Sequence, residues 1–349
     1  MKVAVVYNEA YPEINDEYQT QLNDNLDFKP YFEIAEHDPI AEYEAIAEAL
    51  RKSGFDAYIL NILDDIDIFF RDYNKNKPDV IFNLVEIYKD NAKLEMSFAS
   101  ILELLGIAYT GAPPQALGTC QNKTLTKRIL SSVGIRTPKF KVISKPKKDY
   151  KLGLKYPVII KPAYEDASVG IENESIVTNK EELKNRIEHI LFEYAQPALC
   201  EEFIDGRELN VAVLGDKRQR VLPISEIDFS KMPDHLYNIV SYQAKWDPYH
   251  EAYHKTIPKC PAKLSKRIAE EAGTIAKAAF RAMWCRDYAR VDMRLSKSKK
   301  LYVLEVNPNP DLTEDAGFMR SAKYAGYSYR KTLKRIVELA AKRIKLKLN

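Results

Sequence analysis

The stretches "ARVDMRL" (residues 289–295) and "VLEVNPN" (residues 303–309) carry charged side chains within otherwise apolar, strand-like runs. Alternate residues of a strand lie on one face, so Arg290 and Asp292 share a face. Glu305 stands in the middle of the second run. A charge inside an apolar strand is costly unless a partner compensates it, so both strands need such a partner.

A hairpin between the two runs would bring these charges together. With a tight turn at Ser298-Lys299, Asp292 lies opposite Glu305 and Arg290 lies opposite Asn307. One compensation is a buried ion-pair cluster of arginine, aspartate and glutamate. The other is a divalent cation, because two carboxylates and an amide oxygen are hard ligands that suit Mg²⁺. The local pattern leaves both interpretations open.

Further charged residues mark the ends of other predicted strands. Lys161 ends the apolar run "PVIIK" before a polar loop at residues 165–170, and Lys245 lies in "YQAKW". A lysine at the end of a buried strand is unusual as packing, yet it suits the binding of a phosphate. The pair Glu201-Glu202 ends the run "ALC", and Glu208 begins the next strand. Each signal is weak alone, and only their order along the chain makes them informative.

The first part of the chain alternates between strand and helix patterns. Strands are predicted at "KVAVVY", "DAYILN" and "PDVIFNL", with one helix after the cap Asp38-Pro39 and another from Ala92 to Leu105. This order predicts an open α/β domain with a parallel sheet. No Gly-x-Gly-x-x-Gly follows the first strand, so a dinucleotide site is not expected there.

The rest of the chain has an α+β rhythm. Helices are predicted near residues 123–133, 179–194 and 264–283 and from about residue 328, with strands between them. We therefore predict an N-terminal domain at residues 1–119, a central domain at residues 120–204 and a C-terminal domain at residues 205–349.

Composition narrows the class of protein. The 349 residues carry a net charge of +3, which is too balanced to indicate a nucleic-acid partner. The four cysteines form no Cys-x-x-Cys pair, which suits a reducing cytosol. Neither a signal peptide nor an apolar run of membrane-spanning length is evident. We expect a cytoplasmic protein with no nucleic-acid partner and no membrane partner.

In this order the motifs resemble those of the ATP-grasp superfamily and, within it, the D-alanine–D-alanine ligase-like group. The likeness extends over nearly the whole chain, through "ELLGIAYTGAPPQAL", "NKTLTKRIL", "YPVIIKPAYEDASVGI", "CEEFIDGRELNVAVLG", "VLPISEIDF" and "YVLEVNPNPDLT". It implies an α/β protein with the ATP-grasp fold: a Rossmann-like pre-ATP-grasp N-terminal lobe, a central lid lobe and a C-terminal lobe.

The resemblance also implies which residues bind ATP and two Mg²⁺ ions, with Mn²⁺ as an alternative metal. The nucleotide would contact Lys123, Lys161, Glu201, Glu202, Phe203, Ile204, Glu208 and Lys245. The metal ligands would be Asp292, Glu305 and Asn307, and the catalytic residues Arg290, Lys245 and Ser168 of the closing loop. The implied reaction joins two small molecules: a carboxylate attacks the γ-phosphorus of ATP, and an amine then displaces phosphate from the acyl phosphate.

The departures from the family pattern concern the substrates rather than ATP. Ala167 stands in place of a serine, Trp246 in place of a tyrosine, and Ala316-Gly317 in place of a Ser-Leu pair, while "YNEAYPEINDEY" replaces a Gly-rich substrate loop. The resemblance therefore implies the same type of reaction on a partner other than D-alanine. For recognition of that partner it points to Glu86, Asp90, Asp315 and Arg320.

Three other interpretations stand beside this one. "HEAYH" (residues 250–254) has the spacing of a zinc-peptidase helix, but Pro248 and Pro258 leave little room for one, so a loop or strand is expected. The chain could instead be a non-catalytic nucleotide-binding module. The acyl phosphate could also be captured by a thiol rather than an amine. Related ligases often form dimers, so a homodimer is a further option.

Overall fold

The computed structural model describes residues 1–10, 28, 31–32 and 39–347. Its strands are β1 Lys2–Tyr7, β2 Asp56–Asn61, β3 Val80–Leu84, β4 Phe140–Ile143, β5 Val158–Pro162, β6 Ile176–Val177, β7 Ala198–Glu202, β8 Gly206–Leu214, β9 Arg220–Val221, β10 Ser225–Asp228, β11 Ile257–Lys259, β12 Tyr288–Ser296 and β13 Leu301–Asn307. Its helices are α1 Pro39–Arg51, α2 Ile66–Asn76, α3 Glu95–Leu104, α4 Pro114–Gln121, α5 Lys123–Ser132, α6 Lys180–Glu193, α7 Tyr242–Trp246, α8 Glu251–Lys255, α9 Lys266–Ala282, α10 Gly317–Tyr324 and α11 Tyr329–Lys347. The predicted cap Asp38 and most of "YNEAYPEINDEY" lie outside the described residues.

The first sheet has the order β2-β1-β3, and both pairings are parallel, as the sequence predicts. Val3 and Val5 pack on the side of α1 and α11, whereas Ala4 and Val6 pack on the side of α2 and α3. A strand that is apolar on both faces is typical of a parallel sheet covered by helices on both sides.

Among the helices, the prediction omits α2, α4, α7 and α10 and expects a loop or strand where α8 lies. The α2 helix begins at the N-cap Asp65 and ends at Lys77 in the left-handed conformation, yet Phe69 is its one buried residue. Ile66, Phe70 and Tyr73 are half-buried in the same core, and with Phe69 they have the i, i+3, i+4, i+7 spacing of a helix, which the sequence interpretation missed. The α4 helix lies where a break was expected, because Pro114 occupies its first turn, a position that tolerates proline.

The second sheet has the order β4-β7-β5-β6 and is antiparallel throughout. Ile160 of β5 is the partner of Cys200 of β7, and both belong to the core formed with α6. The alternate residues Lys161 and Glu201 therefore project from the other face of this sheet.

The third sheet has the order β11-β10-β8-β12-β13, and β9 pairs with β8. Val291 and Met293 of β12 pack with the apolar side chains of α9. Strand alternation then places Arg290, Asp292 and Arg294 together on the opposite face of the sheet.

The β12–β13 hairpin has the pairing predicted for its charged residues. Asp292 is the partner of Glu305, and Arg290 is the partner of Asn307. Nearer the turn the register differs by one residue, since Met293 pairs with Val303 across a β-bulge. The bulge restores the predicted pairing, because one extra residue on β13 shifts everything beyond it by one place.

The three sheets follow one another along the chain, with strands within residues 2–84, 140–202 and 206–307. The domain boundaries at 119/120 and 204/205 stay a prediction. Among the described residues, no helix is both long and apolar enough to cross a lipid bilayer.

Candidate active site

Asp292 is the centre of a hydrogen-bond network on the polar face of the third sheet. It accepts from Arg290 Nε at 2.8 Å through Oδ1 and from Arg290 Nη2 at 2.8 Å through Oδ2. Asn210 Nδ2 donates to Oδ1 at 2.7 Å, and Asn307 Nδ2 donates to Oδ2 at 2.8 Å. The ion pair considered from the sequence is therefore present between Arg290 and Asp292.

Glu305 faces a second cation, Lys123 of α5. The Lys123 Nζ lies 3.4 Å from Glu305 Oε2. Burial alone would raise the pKa of Glu305, but Lys123, Lys161 and Arg290 outweigh burial and hold that pKa at about 2. The carboxylate is therefore ionised at neutral pH, as a metal ligand must be.

The oxygen atoms of this hairpin fit a hard divalent cation. Asp292 and Glu305 are cross-strand partners, and Asn307 adds an amide oxygen beside them. Carboxylate and amide oxygens suit Mg²⁺. In the described part of the chain no three His, Cys, Asp or Glu side chains group as a metal site, so the amide is needed to complete the set.

Two buried lysines share Glu201 of β7. Lys161 Nζ lies 3.1 Å from Glu201 Oε2, and Lys127 Nζ lies 2.7 Å from Oε1. Glu201 is 1% exposed, and Lys127 is completely buried. The sequence interpretation missed Lys127, although it lies one helical turn after Lys123 and so shares its face of α5.

Glu208 and the segment before it lie at the start of the third sheet. Glu208 Oε2 is 2.9 Å from Arg294 Nη2, and the guanidinium of Arg294 lies 5.9 Å from the ring centroid of Phe203. Ile204 is buried, whereas Glu202 is half-buried. Arg294 was not predicted, although it shares the face of β12 that carries Asp292.

The loop at residues 165–170 contacts the segment around α7. Ser168 Oγ donates to the Val240 carbonyl at 2.9 Å. Trp246 Nε1 donates to the Ala167 carbonyl at 2.8 Å, so two of the four departures from the family pattern touch each other. Burial and nearby Arg290 lower the pKa of Lys245, whose Nζ lies 4.7 Å from the Trp246 ring centroid.

Two groups implied for substrate recognition lie near this network. Glu86 is exposed, yet surrounding protein atoms raise its pKa to about 7, with Asp311 and Asp166 adding to the effect. Arg320 of α10 lies beside Gly317, since a Cβ there would be 3.7 Å from Arg320 Nη2 and 3.8 Å from Arg290 Nη1. The Nε atom of Arg320 is buried without a hydrogen-bond partner.

Asp90 and Asp315, the other two residues implied for recognition, are exposed. Asp315 is close enough to act on the charge of Arg320, whose pKa burial lowers. The contacts of Asp90 and Asp315 therefore assign no role to either residue.

The "HEAYH" stretch forms α8, not the expected loop or strand. His254 is buried, and its Nδ1 accepts from the amides of Tyr31 at 3.0 Å and Phe32 at 3.1 Å. Its Nε2 lies 2.8 Å from the Pro248 carbonyl and therefore carries the proton. Both ring nitrogens are engaged, so this histidine fastens residues 31–32 and has no nitrogen left for a metal.

The chain is similar to known proteins in both sequence and structure. A model of the family described as "D-ala D-ala ligase C-terminus" matches residues 129–338. A D-alanine–D-alanine ligase of Desulforudis audaxviator is 33% identical over 255 residues, covering 70% of this chain and 76% of that protein. The uncharacterized protein y4sG of Sinorhizobium fredii is 31% identical over 348 residues, covering 98% of each chain.

Among solved structures, the D-alanine–D-alanine ligase of Bacillus anthracis complexed with ATP has a TM-score of 0.72. It is 22% identical, and the likeness covers 99% of both chains, which confirms the predicted ATP-grasp fold. The chain thus belongs to the D-alanine–D-alanine ligase family of ATP-grasp enzymes, which are ATP-dependent carboxylate–amine ligases.

Proposed function

We propose that this enzyme joins an amino acid or peptide-like carboxylate to an amine other than D-alanine, with ADP and phosphate as products. The observation that carries the proposal is the charge network of the β12–β13 hairpin. There Arg290, Asp292 and Glu305 meet Lys123 of α5, next to a loop that Trp246 holds in place. The network supports phosphoryl transfer, while the residues around it differ from those of the family.

ATP and Mg²⁺ are the cofactors of the family, and we assign their ligands from the sequence interpretation. Lys123, Lys161 and Lys245 would bind phosphates, with the adenine along residues 201–204 and the ribose at Glu208. Asp292, Glu305 and Asn307 would hold the metal, which neutralises charge on the phosphates when it is bound.

The proposed chemistry has two balanced steps. An oxygen of the substrate carboxylate attacks the γ-phosphorus and ADP departs, which leaves an acyl phosphate. The amine then attacks the acyl carbon, phosphate departs, and the nitrogen loses a proton. Arg290 is fixed by Asp292 and would stabilise the oxyanion formed in the second step, since a preorganised charge needs no reorganisation.

The residues at the substrate side favour a molecule with both a carboxylate and an ammonium group. Arg320 offers a buried Nε without a partner beside the guanidinium of Arg290, which suits a carboxylate. Glu86 lies among the acids Asp311 and Asp166, which suits a cation. An amino acid or short peptide has both groups.

The test is release of ADP and phosphate with Mg²⁺ over a panel of amino acids and dipeptides. We expect coupled release with at least one pair that does not include D-alanine. For that pair, Arg320→Met should raise the KM of one substrate at least about tenfold, because a charged hydrogen bond is lost. Lys323→Met is the matched control on α10, since Lys323 is exposed.

The panel also decides between the alternatives. ATP binding without turnover on any substrate, unaffected by Arg290→Ala, would favour the non-catalytic module. Turnover that requires a thiol would replace the amine as the nucleophile. Turnover on D-alanine alone would refute the proposed substrate class.

A cytoplasmic location and a homodimer are part of the same proposal. The location is supported by four cysteines without a paired motif. The homodimer is supported only by the fact that related ligases often form dimers. Light scattering of the purified protein tests it, and a monomeric mass at micromolar concentration would reject it.

A further inference from the structure

Lys127 is a buried lysine that the proposed chemistry does not use. Its side chain is completely buried on α5, one turn after Lys123. The ammonium lies 2.7 Å from Glu201 Oε1 and donates to Thr137 Oγ1 at 2.6 Å. The ring centroid of Phe140 lies 5.7 Å away. All these contacts are with protein groups.

A structural ion pair does not account for all the charge around Glu201. Burying a charge is costly, and one partner of opposite sign is enough to compensate it. Glu201 nevertheless has two lysine partners, with Lys161 3.1 Å from its other oxygen. Lys123 has carboxylates of its own, Glu305 at 3.4 Å and Asp166 at 4.0 Å, so Glu201 alone serves both Lys127 and Lys161.

The two partners of Glu201 differ in what else surrounds them. Lys127 has no neighbouring carboxylate but Glu201 within ion-pair distance in the described part of the chain. Lys161 also lies within electrostatic reach of Lys123, Glu305 and Glu208. Burial lowers the pKa of both lysines, that of Lys127 well below its ordinary value and that of Lys161 to about 8, so charge alone does not separate them. Position does, because Lys127 is completely buried and donates to Thr137, whereas Lys161 lies within electrostatic reach of Lys123 and Glu305. A phosphate arriving beside Lys123 would attract Lys161 first.

We propose that Lys127 is a positioning residue that stays paired with Glu201, so that Lys161 can leave Glu201 and bind the phosphates of the nucleotide. The inference rests on the proposed function, in which Glu201 binds adenine and Lys161 binds phosphate. Without Lys127, Glu201 would keep Lys161 as its sole counter-ion. Phosphate binding would then compete with a buried ion pair.

The test compares two ligands that differ in phosphate. In Lys127→Met, Lys161 should stay paired with Glu201, so its charged contact with the phosphates is lost. Binding of ATP with Mg²⁺ should then weaken at least about tenfold. Binding of adenosine, which makes no demand on Lys161, should change less than about threefold. ATP is measured by titration calorimetry and adenosine by competition in NMR. Arg128→Met is the matched control, since Arg128 is the next residue of α5 and is exposed.

Three results would overturn the role of Lys127. Unchanged ATP affinity would do so, and so would an equal loss for ATP and adenosine, which indicates a general structural defect. The third comes from the Glu201→Gln background, where Lys161 is already free and no buried carboxylate needs a partner. There, adding Lys127→Met should change ATP affinity less than about twofold, and a further tenfold loss would contradict the proposal.

The last comparison also protects the test against failure to fold. Lys127→Met alone leaves Glu201 with one partner, whereas the double variant removes both charges and is better tolerated. Failure of the assigned nucleotide site is seen separately, because wild-type protein would then bind no ATP before any variant is made. Failure of the proposed substrate class leaves ATP binding intact and appears only in the turnover panel.

Discussion

Three hydrogen-bond donors fix Asp292: Arg290 of the same strand, Asn210 of the neighbouring β8 and Asn307 of the neighbouring β13. Its orientation is therefore set by the sheet before any ligand arrives, which is the preorganisation that charge-stabilising catalysis requires.

We expect Asp292→Asn and Glu305→Gln each to lower ADP formation at least about a thousandfold, since a metal ligand contributes several kcal/mol to phosphoryl transfer. ADP release is measured with coupled enzymes at saturating ATP. The matched control is Glu271→Gln on α9, a half-buried acid paired with Arg267. Retained activity in both site variants would remove the metal assignment.

Glu86 gives the site a pH dependence whose direction can be worked out. Its pKa is raised to about 7, mainly because surrounding protein atoms displace water from the carboxyl group and then by Asp311 and Asp166, so it is half-protonated at neutral pH. Only the ionised form attracts an ammonium group. If Glu86 binds the substrate's ammonium, kcat/KM for that substrate rises with pH through about 7 and then levels.

The pH profile of Glu86→Gln checks this assignment. The inflection near pH 7 should vanish, and the plateau should fall at least about tenfold because a charged contact is lost. The profile is measured from about pH 5.5 to 8.5 with ATP saturating. Persistence of the same inflection in the variant would assign it to another group.

The site residues that the sequence predicted have partners close in sequence, whereas those it missed have partners that are distant in sequence. Asp292 and Glu305 lie in consecutive strands, so alternation and one turn are enough to pair them. Lys127 and Arg294 find their partners in strands that are distant in sequence, at Glu201 and Glu208. Strand alternation does not tell which distant strands lie side by side.

Among the elements, the β12–β13 hairpin shows how a local irregularity preserves a site. Leu295 pairs with Leu301 next to the turn, a register that would leave Asp292 without Glu305 opposite. The bulge on β13 corrects the register by one residue. The sequence predicts the final pairing but not the bulge, because no residue type marks it.

The short helix α8 fastens a distant part of the chain, and His254 is the group that does so. His254→Ala would leave the amides of Tyr31 and Phe32 without their acceptor. We expect these two amides to exchange hydrogen faster and the free energy of unfolding to fall by about 1–3 kcal/mol. Hydrogen exchange by NMR and chemical denaturation measure the two effects.

His235→Ala is the control for that variant. His235 is largely exposed and lies 3.0 Å from Glu251 of the same helix. A surface contact of this kind is worth less than about 1 kcal/mol. Unchanged exchange at residues 31 and 32 in His254→Ala would show that other contacts hold them.

For the whole molecule, nucleotide binding should appear as a gain in thermal stability. At an ATP concentration about a hundred times Kd, binding adds about 2.7 kcal/mol to the native state. For a chain of 349 residues this raises Tm by about 4 °C. Scanning calorimetry with Mg²⁺ present measures the shift, and Lys161→Met should reduce it. No shift at millimolar ATP would contradict the assigned nucleotide site.

The sequence patterns predicted the parallel sheet and the long helices, whereas the ATP-grasp fold was implied by the family resemblance. The sequence interpretation did not predict α2, although Ile66, Phe69, Phe70 and Tyr73 have helical spacing, nor α10, which begins at Gly317 without a side-chain cap. A short helix without a cap, such as α10, is stabilised mainly by packing against the rest of the protein.

The packing of α11 has a consequence for how the protein is made. Leu333, Ile336 and Val337 of this helix belong to the same apolar core as Val3 and Val5 of β1. More than three hundred residues separate the two, so β1 leaves the ribosome long before α11 is synthesised. Until then this face of the N-terminal sheet has α1 but lacks α11, and a chaperone that binds nascent chains would find its target on the part still exposed.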